Sequence, residues 1–495
     1  MSRFNNPKAL TALDPLPGRS SPGETEASEP SSMGRKGGPD PAAPVAAAEE
    51  FPEAKPSPVH KACFVMLCLY LLSAYANDFS YRLLHAKAYI STVSIALLPI
   101  LFAATGGAFR SVQGPFGKWY LAFGAWLAVC APFSSWKGNT LSVLFEFYSK
   151  SFLLYFAICA CVLRLRELKR LMFVLGIGAV VVVFTCFKYG RPGEGGRFAV
   201  PESVFSFFAN ANELALQLLL GMIVLLFYVL RKGFWLRAFS LCAIAISFYY
   251  LLRTGSRGGF LAAAVTSVAF FLLSKHKLRL VLLASAALPV VFLAVPSEAR
   301  HRLFMIVGSQ AEAATEADGA TIASQRAREQ MLRDSIRMTL THPLFGAGPG
   351  DYAGANAKYL ENLGLRAIWL ETHNTYTQVS SESGIPGFIF FVSAIIACIR
   401  MNYRVYRQTS RIKGLEDYAA VSLCMLLSII AFSVDAFFDQ QAYTANLPIL
   451  TGLSTATYLL ARRALGAPPR IESADAFAAK DDPRNTVRNT LASAT

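Results

Sequence analysis

Three signatures of familiar enzymes are missing from this chain. There is no G-x-x-x-x-G-K-[ST] phosphate loop, no H-E-x-x-H and no G-x-S-x-G. Nucleotide-driven chemistry, zinc hydrolysis and a serine nucleophile of those kinds are therefore unsupported. Cysteine is present nine times, but no hydrophilic loop contains one. The closest pair, Cys159-Ala-Cys161, lies inside an apolar run, which excludes a disulfide framework and a spaced metal cluster. These cysteines read as small apolar packing residues. No internal repeat of 20 to 50 residues is visible. The first 60 residues lack a hydrophobic signal core, so no cleaved signal peptide is expected.

What the chain does have is apolar sequence in blocks. Hydrophobic residues make up 54% of it and charged residues only 16%. The blocks are roughly 15 to 25 residues long, enough for a helix to cross about 30 Å of hydrocarbon. Continuous runs rather than alternation select helices over a barrel. About twelve spans are expected, near 62–76, 88–105, 119–134, 141–163, 171–187, 204–230, 238–252, 258–273, 280–296, 376–399, 418–435 and 442–461. The fold class is thus an all-α polytopic membrane protein. Residues 1–60 are rich in Pro, Ser, Ala and Gly and are expected to be a disordered tail. A membrane domain follows over 61–461, and 462–495 reads as a second disordered tail.

The net charge of +15 raises the question of nucleic acid, and its distribution answers it. Lys and Arg collect in alternate loops: Arg164–Arg170, Arg231–Arg237, Ser274–Arg279 and Arg400–Lys413. The positive-inside rule makes these loops and both termini cytoplasmic, with no nucleic-acid partner. The other loops then face outward, including the long segment 297–375. Two short outward loops break the rule. Lys188–Phe198 carries Arg191 and Arg197; Leu251–Gly259 carries Arg253 and Arg257. Outward cations work against the membrane potential by about 2.3 kcal/mol per 100 mV. Either a bound anion or snorkelling to membrane-lipid headgroups would offset that.

The long outward segment is too long for a simple connection. Thr321–Thr341 reads as an amphipathic helix. Ile322, Leu332, Ile336 and Leu340 fall near one face, with Arg326, Arg328, Arg333 and Arg337 largely off it. Such a helix suits the membrane surface. Pro343 ends it, and "GAGPGDY" supplies turns. Acid-rich 311–320 reads as a mobile tip.

Four stretches in order, "GRFAVPESVFSFFANANELA", "LLRTGSRGGFLA", "THPLFGAGPGDY" and "HNTYTQVSSESGIPG", resemble the O-antigen ligase and O-antigen polymerase superfamily. The resemblance is strongest from Arg253 to Gly387. It implies a GT-C-like glycosyltransferase that works without a metal ion or other cofactor in the bacterial cytoplasmic (inner) membrane. The implied donor is an undecaprenyl-diphosphate-linked glycan. The implied acceptor is lipid A–core for a ligase or another glycan for a polymerase. Carried onto this chain, the motif histidine is His373. The arginines are Arg257 and Arg197, with Arg191 and Arg253 as second candidates.

The chemistry suits these residues. A neutral imidazole near its ordinary pKa of about 6.5 can take the proton of an acceptor hydroxyl. Planar guanidinium groups match the oxygens of a diphosphate leaving group and can stand in for a divalent cation. Against this, His373 could simply cap the helix that follows, and Arg257 could pair with carbonyls at a helix end. Asn374 and Tyr376 are candidate site-lining residues. Glu213 lines the site or bonds between helices. Glu382 reads as a partner for another span, and Gly384 and Pro386 shape the helix start. A lipid-linked oligosaccharide transporter is the rival outside the family, but it would be expected to show repeated halves with broken helices near mid-membrane.

Overall fold

The computed structural model describes residues 57–84, 107–192, 197–201, 210–231, 233–275, 277–278, 282, 285, 316–367 and 369–466. The predicted spans at 88–105 and 280–296, the acidic tip up to residue 315 and most of both tails lie outside these residues. The described residues are almost wholly helical: α1 (Pro58–Leu84), α2 (Pro115–Cys130), α3 (Lys137–Cys161), α4 (Leu165–Tyr189), α5 (Ala211–Arg231), α6 (Phe234–Arg253), α7 (Arg257–Leu273), α8 (Glu316–Thr341), α9 (Tyr352–Asn362), α10 (Thr375–Thr409), α11 (Glu416–Asp435) and α12 (Asn446–Ala464). A two-stranded antiparallel ribbon, β1 (Arg191–Pro192) with β2 (Phe198–Ala199), follows α4.

Six helices, α3, α4, α5, α6, α10 and α11, are long and apolar enough to cross a membrane, and α1 and α7 contribute shorter apolar stretches. The other predicted spans with described residues overlap helices, although α2 and α12, over the predicted 119–134 and 442–461, are not among those long and apolar enough to cross. Alpha1 starts earlier than its apolar run because Pro58 suits a first helical position, where an N–H is not needed. His60, one turn in, bonds the buried Glu167 of α4 at 2.9 Å. Large apolar side chains such as Phe173, Phe187, Trp235 and Phe239 remain on the outside, the pattern of a helix bundle solvated by lipid.

Aromatic packing joins the bundle's centre. Tyr120 of α2 meets Tyr155 of α3 edge-on at 5.2 Å, and Phe123 lies 5.4 Å from Phe391 of α10. Pairs in this geometry add about 0.5–1.5 kcal/mol each beyond the area they bury.

Alpha10 is broken, and the break positions the segment that joins α8 to α9. Gly384 has φ 71 and ψ −176, and Pro386 has no N–H to offer the Glu382 carbonyl. The Pro343–Gly350 loop fills the gap. Ala347 N–H donates to Ser381 O at 2.8 Å, Gly348 N–H to Glu382 O at 3.0 Å, and Ile385 N–H to Pro343 O at 2.8 Å. Trp126 of α2 donates its indole N–H to Ser383 O at 2.8 Å. Irregular backbone at membrane depth survives only where protein satisfies it in this way. The Glu382 side chain joins in, accepting from Gly350 N–H at 3.0 Å and the Tyr443 hydroxyl at 2.7 Å.

Asp351 anchors the other end of the loop. It accepts hydrogen bonds from Ser134, Trp136 N–H at 2.9 Å, Asn139 at 2.8 Å and Thr140 at 3.0 Å. Alpha8 ends at Thr341, as Pro343 requires. It buries Met331, Ser335 and Met338, while Leu332, Ile336 and Leu340 of the predicted apolar stripe face outward.

Gly384→Ala should therefore be severe. The new Cβ would run into the Leu344 carbonyl in a backbone region essentially confined to glycine, which costs an L-residue about 1–3 kcal/mol by itself. Gly414 has φ 91 and open space around it, so Gly414→Ala carries the conformational cost alone. Thermal unfolding in detergent should show a clearly larger loss for Gly384→Ala than for Gly414→Ala.

Candidate functional site

The N-terminal end of α10 is capped by Asn374, whose side chain accepts from Tyr376 N–H at 2.9 Å and Thr377 N–H at 3.1 Å. His373 is thereby left outside the helix, with φ 49. Its Nδ1 is enclosed and has no hydrogen-bond partner among the described residues. The capping role considered for His373 thus falls to Asn374.

Thr375 ties this helix start to the α11–α12 connection. Its N–H donates to Ala436 O at 2.8 Å, its hydroxyl donates to Asp439 O at 2.7 Å, and it accepts from Gln441 N–H at 2.8 Å. The stitching brings the Asp439 carboxylate to the same end of the bundle as His373. Asp439 is buried and accepts from Gln441 Nε2 and Gln440 N–H, both at 3.0 Å.

The arginine loops arrive from the other side. Arg197, just before β2, donates from Nη2 to Asn212 Oδ1 at 2.7 Å and from Nε to Thr254 O at 3.3 Å. The same Asn212 oxygen accepts from Ser256 Oγ at 2.9 Å. Ser256 caps α7 through Gly259 N–H at 3.2 Å, and Arg257 is the first residue of that helix. One buried amide at the start of α5 therefore links the loops that carry Arg197 and Arg257.

Arg328 of α8 joins the two sides. It interacts electrostatically with His373, Asp439 and Arg257, and Asp439 in turn feels Arg197. Burial, then the Arg328 charge, holds the His373 pKa below its usual value. This differs from the ordinary value expected on the sequence, because spacing along the chain reveals neither the enclosure nor the cation. Burial lowers the Arg328 pKa too; Asp439 opposes that shift and Arg257 adds to it. Burial pushes the Asp439 carboxyl up to about 6, against its hydrogen bonds to Gln441 and Gln440 and the charges of Arg328 and Arg197.

Other candidates are placed differently. Arg253 lies over the Phe198 ring at 4.7 Å and near Tyr249 at 5.8 Å. Arg191 is exposed on β1, in register with Ala199, and no described contact joins it to the cluster. The Tyr376 hydroxyl donates to Ser433 O at 2.9 Å and its ring packs on Phe437 at 4.5 Å. Asn374 and Tyr376 thus use their polar groups within the fold. Glu213 and Asp435 lie within electrostatic reach of Asp439. Asp435 is fully buried, and neither of its carboxylate oxygens has a hydrogen-bond partner among the described residues.

Arg328, Asp435 and Asp439 were not singled out by sequence reasoning. Arg328 stood among four arginines of one helix. Of these, Arg333 pairs with Glu329 at 2.5 Å, and Arg337 bonds Asn356 at 3.0 Å and covers the Tyr359 ring at 3.6 Å. Among the described residues, no group of three or more His, Cys, Asp or Glu is arranged to hold a metal ion.

The arrangement defines a polytopic membrane protein with guanidinium groups and an imidazole gathered at one end of its helices. Residues 242–392 match the family model described as O-antigen ligase, and the chain carries a domain of the O-antigen ligase superfamily over that stretch. The match spans Arg253, Arg257, Arg328 and His373, while Arg197 and Asp439 lie outside it. No curated protein matches the chain.

Asn212 carries no charge and reaches the cluster only by holding Arg197 and Ser256. Asn212→Ala should leave the protein folded but release Arg197, lowering any activity of the cluster by up to about a hundredfold, the scale of small misplacements in a site. Thermal unfolding and activity of the same purified sample would check both halves.

Proposed function

We propose that the protein transfers a glycan from an undecaprenyl-diphosphate carrier to an acceptor hydroxyl on the outer face of the bacterial cytoplasmic membrane. The supporting observation is that one amide, Asn212, ties the loops carrying Arg197 and Arg257 together, while the start of α10 beside His373 is stitched to the turn holding Asp439; Arg328 lies within charge range of His373 and Asp439. The O-antigen ligase match over 242–392 is consistent with this chemistry. The reading includes twelve spans in a GT-C-like arrangement, with both termini in the cytoplasm and no metal requirement.

In this mechanism the acceptor oxygen attacks the anomeric carbon as His373 takes its proton. The bond from that carbon to the diphosphate oxygen breaks, and the electron pair leaves with undecaprenyl diphosphate. Arg197, Arg257 and Arg328 stabilise the charge that grows there. Fixed donors in a partly dry site do so better than water, which must reorganise. His373 suits the task because its depressed pKa keeps the ring neutral, the form that accepts a proton. Asp439 offsets the mutual repulsion of the arginines before the donor binds. Ligase and polymerase share these steps and differ in acceptor.

His373→Ala should lower transfer by about 10²- to 10⁴-fold, and Arg257→Ala by at least a comparable factor. Purified, folded protein given lipid-linked glycan and acceptor in detergent measures both. Wild-type transfer by either variant would remove that residue from the mechanism. Transfer in detergent, where no gradient exists, also excludes an obligate transporter. In cells lacking the gene, free polymer without capped lipid A–core marks a ligase; single-repeat products mark a polymerase.

A further inference from the structure

A second basic site lies at the other end of α10. Arg404, Gln408, Tyr458, Arg462 and Leu465 line a cavity of about 540 Å³ at the α10–α12 junction. From the break at Gly384 the helix runs about 30 Å to Arg404, at about 1.5 Å per residue, enough to carry this cavity across the hydrocarbon thickness from the break. Two guanidinium groups and an amide face the space, and none of the described lining residues is acidic. The Tyr458 ring and Leu465 give the cavity an apolar wall. Arg462 is held over that ring at 5.7 Å, with Nη1 3.4 Å from the hydroxyl.

The surroundings strengthen the positive field. Arg463 follows Arg462 and is coupled electrostatically to the buried Arg110. Among the described residues, nearby carboxylates have partners of their own: Glu167 bonds His60 at 2.9 Å, Asp417 pairs with Lys169 and with Arg231 at 2.8 Å, and Glu416 accepts from Gly414 N–H at 3.0 Å and lies 3.7 Å from Arg231. A cavity with arginines on one side and an aromatic and aliphatic wall on the other matches a phosphate diester joined to glycerol. Basic pockets between spanning helices take acidic lipid headgroups in this manner.

We propose that this cavity seats the phosphate headgroup of an acidic glycerophospholipid from the leaflet opposite His373. The site is separate from the cluster described above and does not depend on the reaction assigned to it.

Thermal unfolding of the full-length protein in detergent tests the proposal, with phosphatidylglycerol, phosphatidylcholine or inorganic phosphate added at matched concentrations. Phosphatidylglycerol should raise Tm and the other two should not. Arg404→Gln and Arg462→Gln should each require about fivefold more phosphatidylglycerol for the same shift, and the double variant should lose the response. Arg411→Gln, a cation of the α10–α11 loop outside the cavity, should respond as wild type. If Arg462→Gln unfolds through loss of its Tyr458 contact, Arg404→Gln alone decides. An unchanged response in the Arg404 variant, or an equal response to phosphatidylcholine, overturns the proposal. A matching response to inorganic phosphate overturns the lipid assignment and leaves a free-anion site.

Discussion

Like charges gathered at the edge of a membrane repel one another, and that repulsion is the constraint around which this protein is organised. Arg197, Arg257 and Arg328 come from three separate segments, yet Asp439 or a direct electrostatic interaction links each of them to the same field. Two features hold them. Arg197 is fixed by the Asn212 amide and the Thr254 carbonyl. The carboxylate of Asp439 offsets part of the positive charge, and burial and the nearby cations pull its proton affinity in opposite directions. Donors fixed in this way need little reorganisation when charge develops beside them.

The break in α10 determines how the histidine meets this field. A continuous helix would have no use for the Pro343–Gly350 loop. At Gly384, however, the carbonyls of Ser381 and Glu382 need donors, and that loop provides them. Alpha8 ends where the loop begins, so the hydrogen bonds that repair α10 also fix the base of the helix that carries Arg328. The same α10 starts at Thr375, stitched to the turn holding Asp439. Backbone satisfaction inside the membrane and charge placement at its surface are therefore one structural problem with a shared solution.

Much of this was legible in the sequence where the governing rule is local. Apolar run length places the helices, Pro343 stops α8, and the serine-arginine turn becomes the capped start of α7. Arg197 and Arg257 drew notice because they fall in loops that the alternation of basic loops would leave uncharged. What could not be read was set by partners on other elements. Arg328, Arg333 and Arg337 share one helix and similar spacing; Glu329, Asn356 and Tyr359 claim two of them, and the charge of the third acts on His373. Asp439 sits in a short connection with no motif around it. The roles of Asn374 and Tyr376 were likewise set by geometry, since a cap and a tertiary hydrogen bond consume groups that looked available. The apolar stripe of α8 was visible too, but the face that packs inward carries Met331, Ser335 and Met338 instead, because the partners on α9 and α10 decide it.

The central claim is that His373 and the arginines share one enclosed field, and the acid limb of the pH–rate profile tests it most directly. Burial and Arg328 both lower the His373 pKa, so the neutral, proton-accepting ring persists below the usual value of about 6.5. The acid limb of kcat/KM in the native enzyme should accordingly lie below about 6.5 and report the free-enzyme base. Arg328→Gln removes one of the two causes, so its limb should move to higher pH while the protein stays folded. A limb that Arg328→Gln leaves in place would contradict the coupling and, with it, the single site.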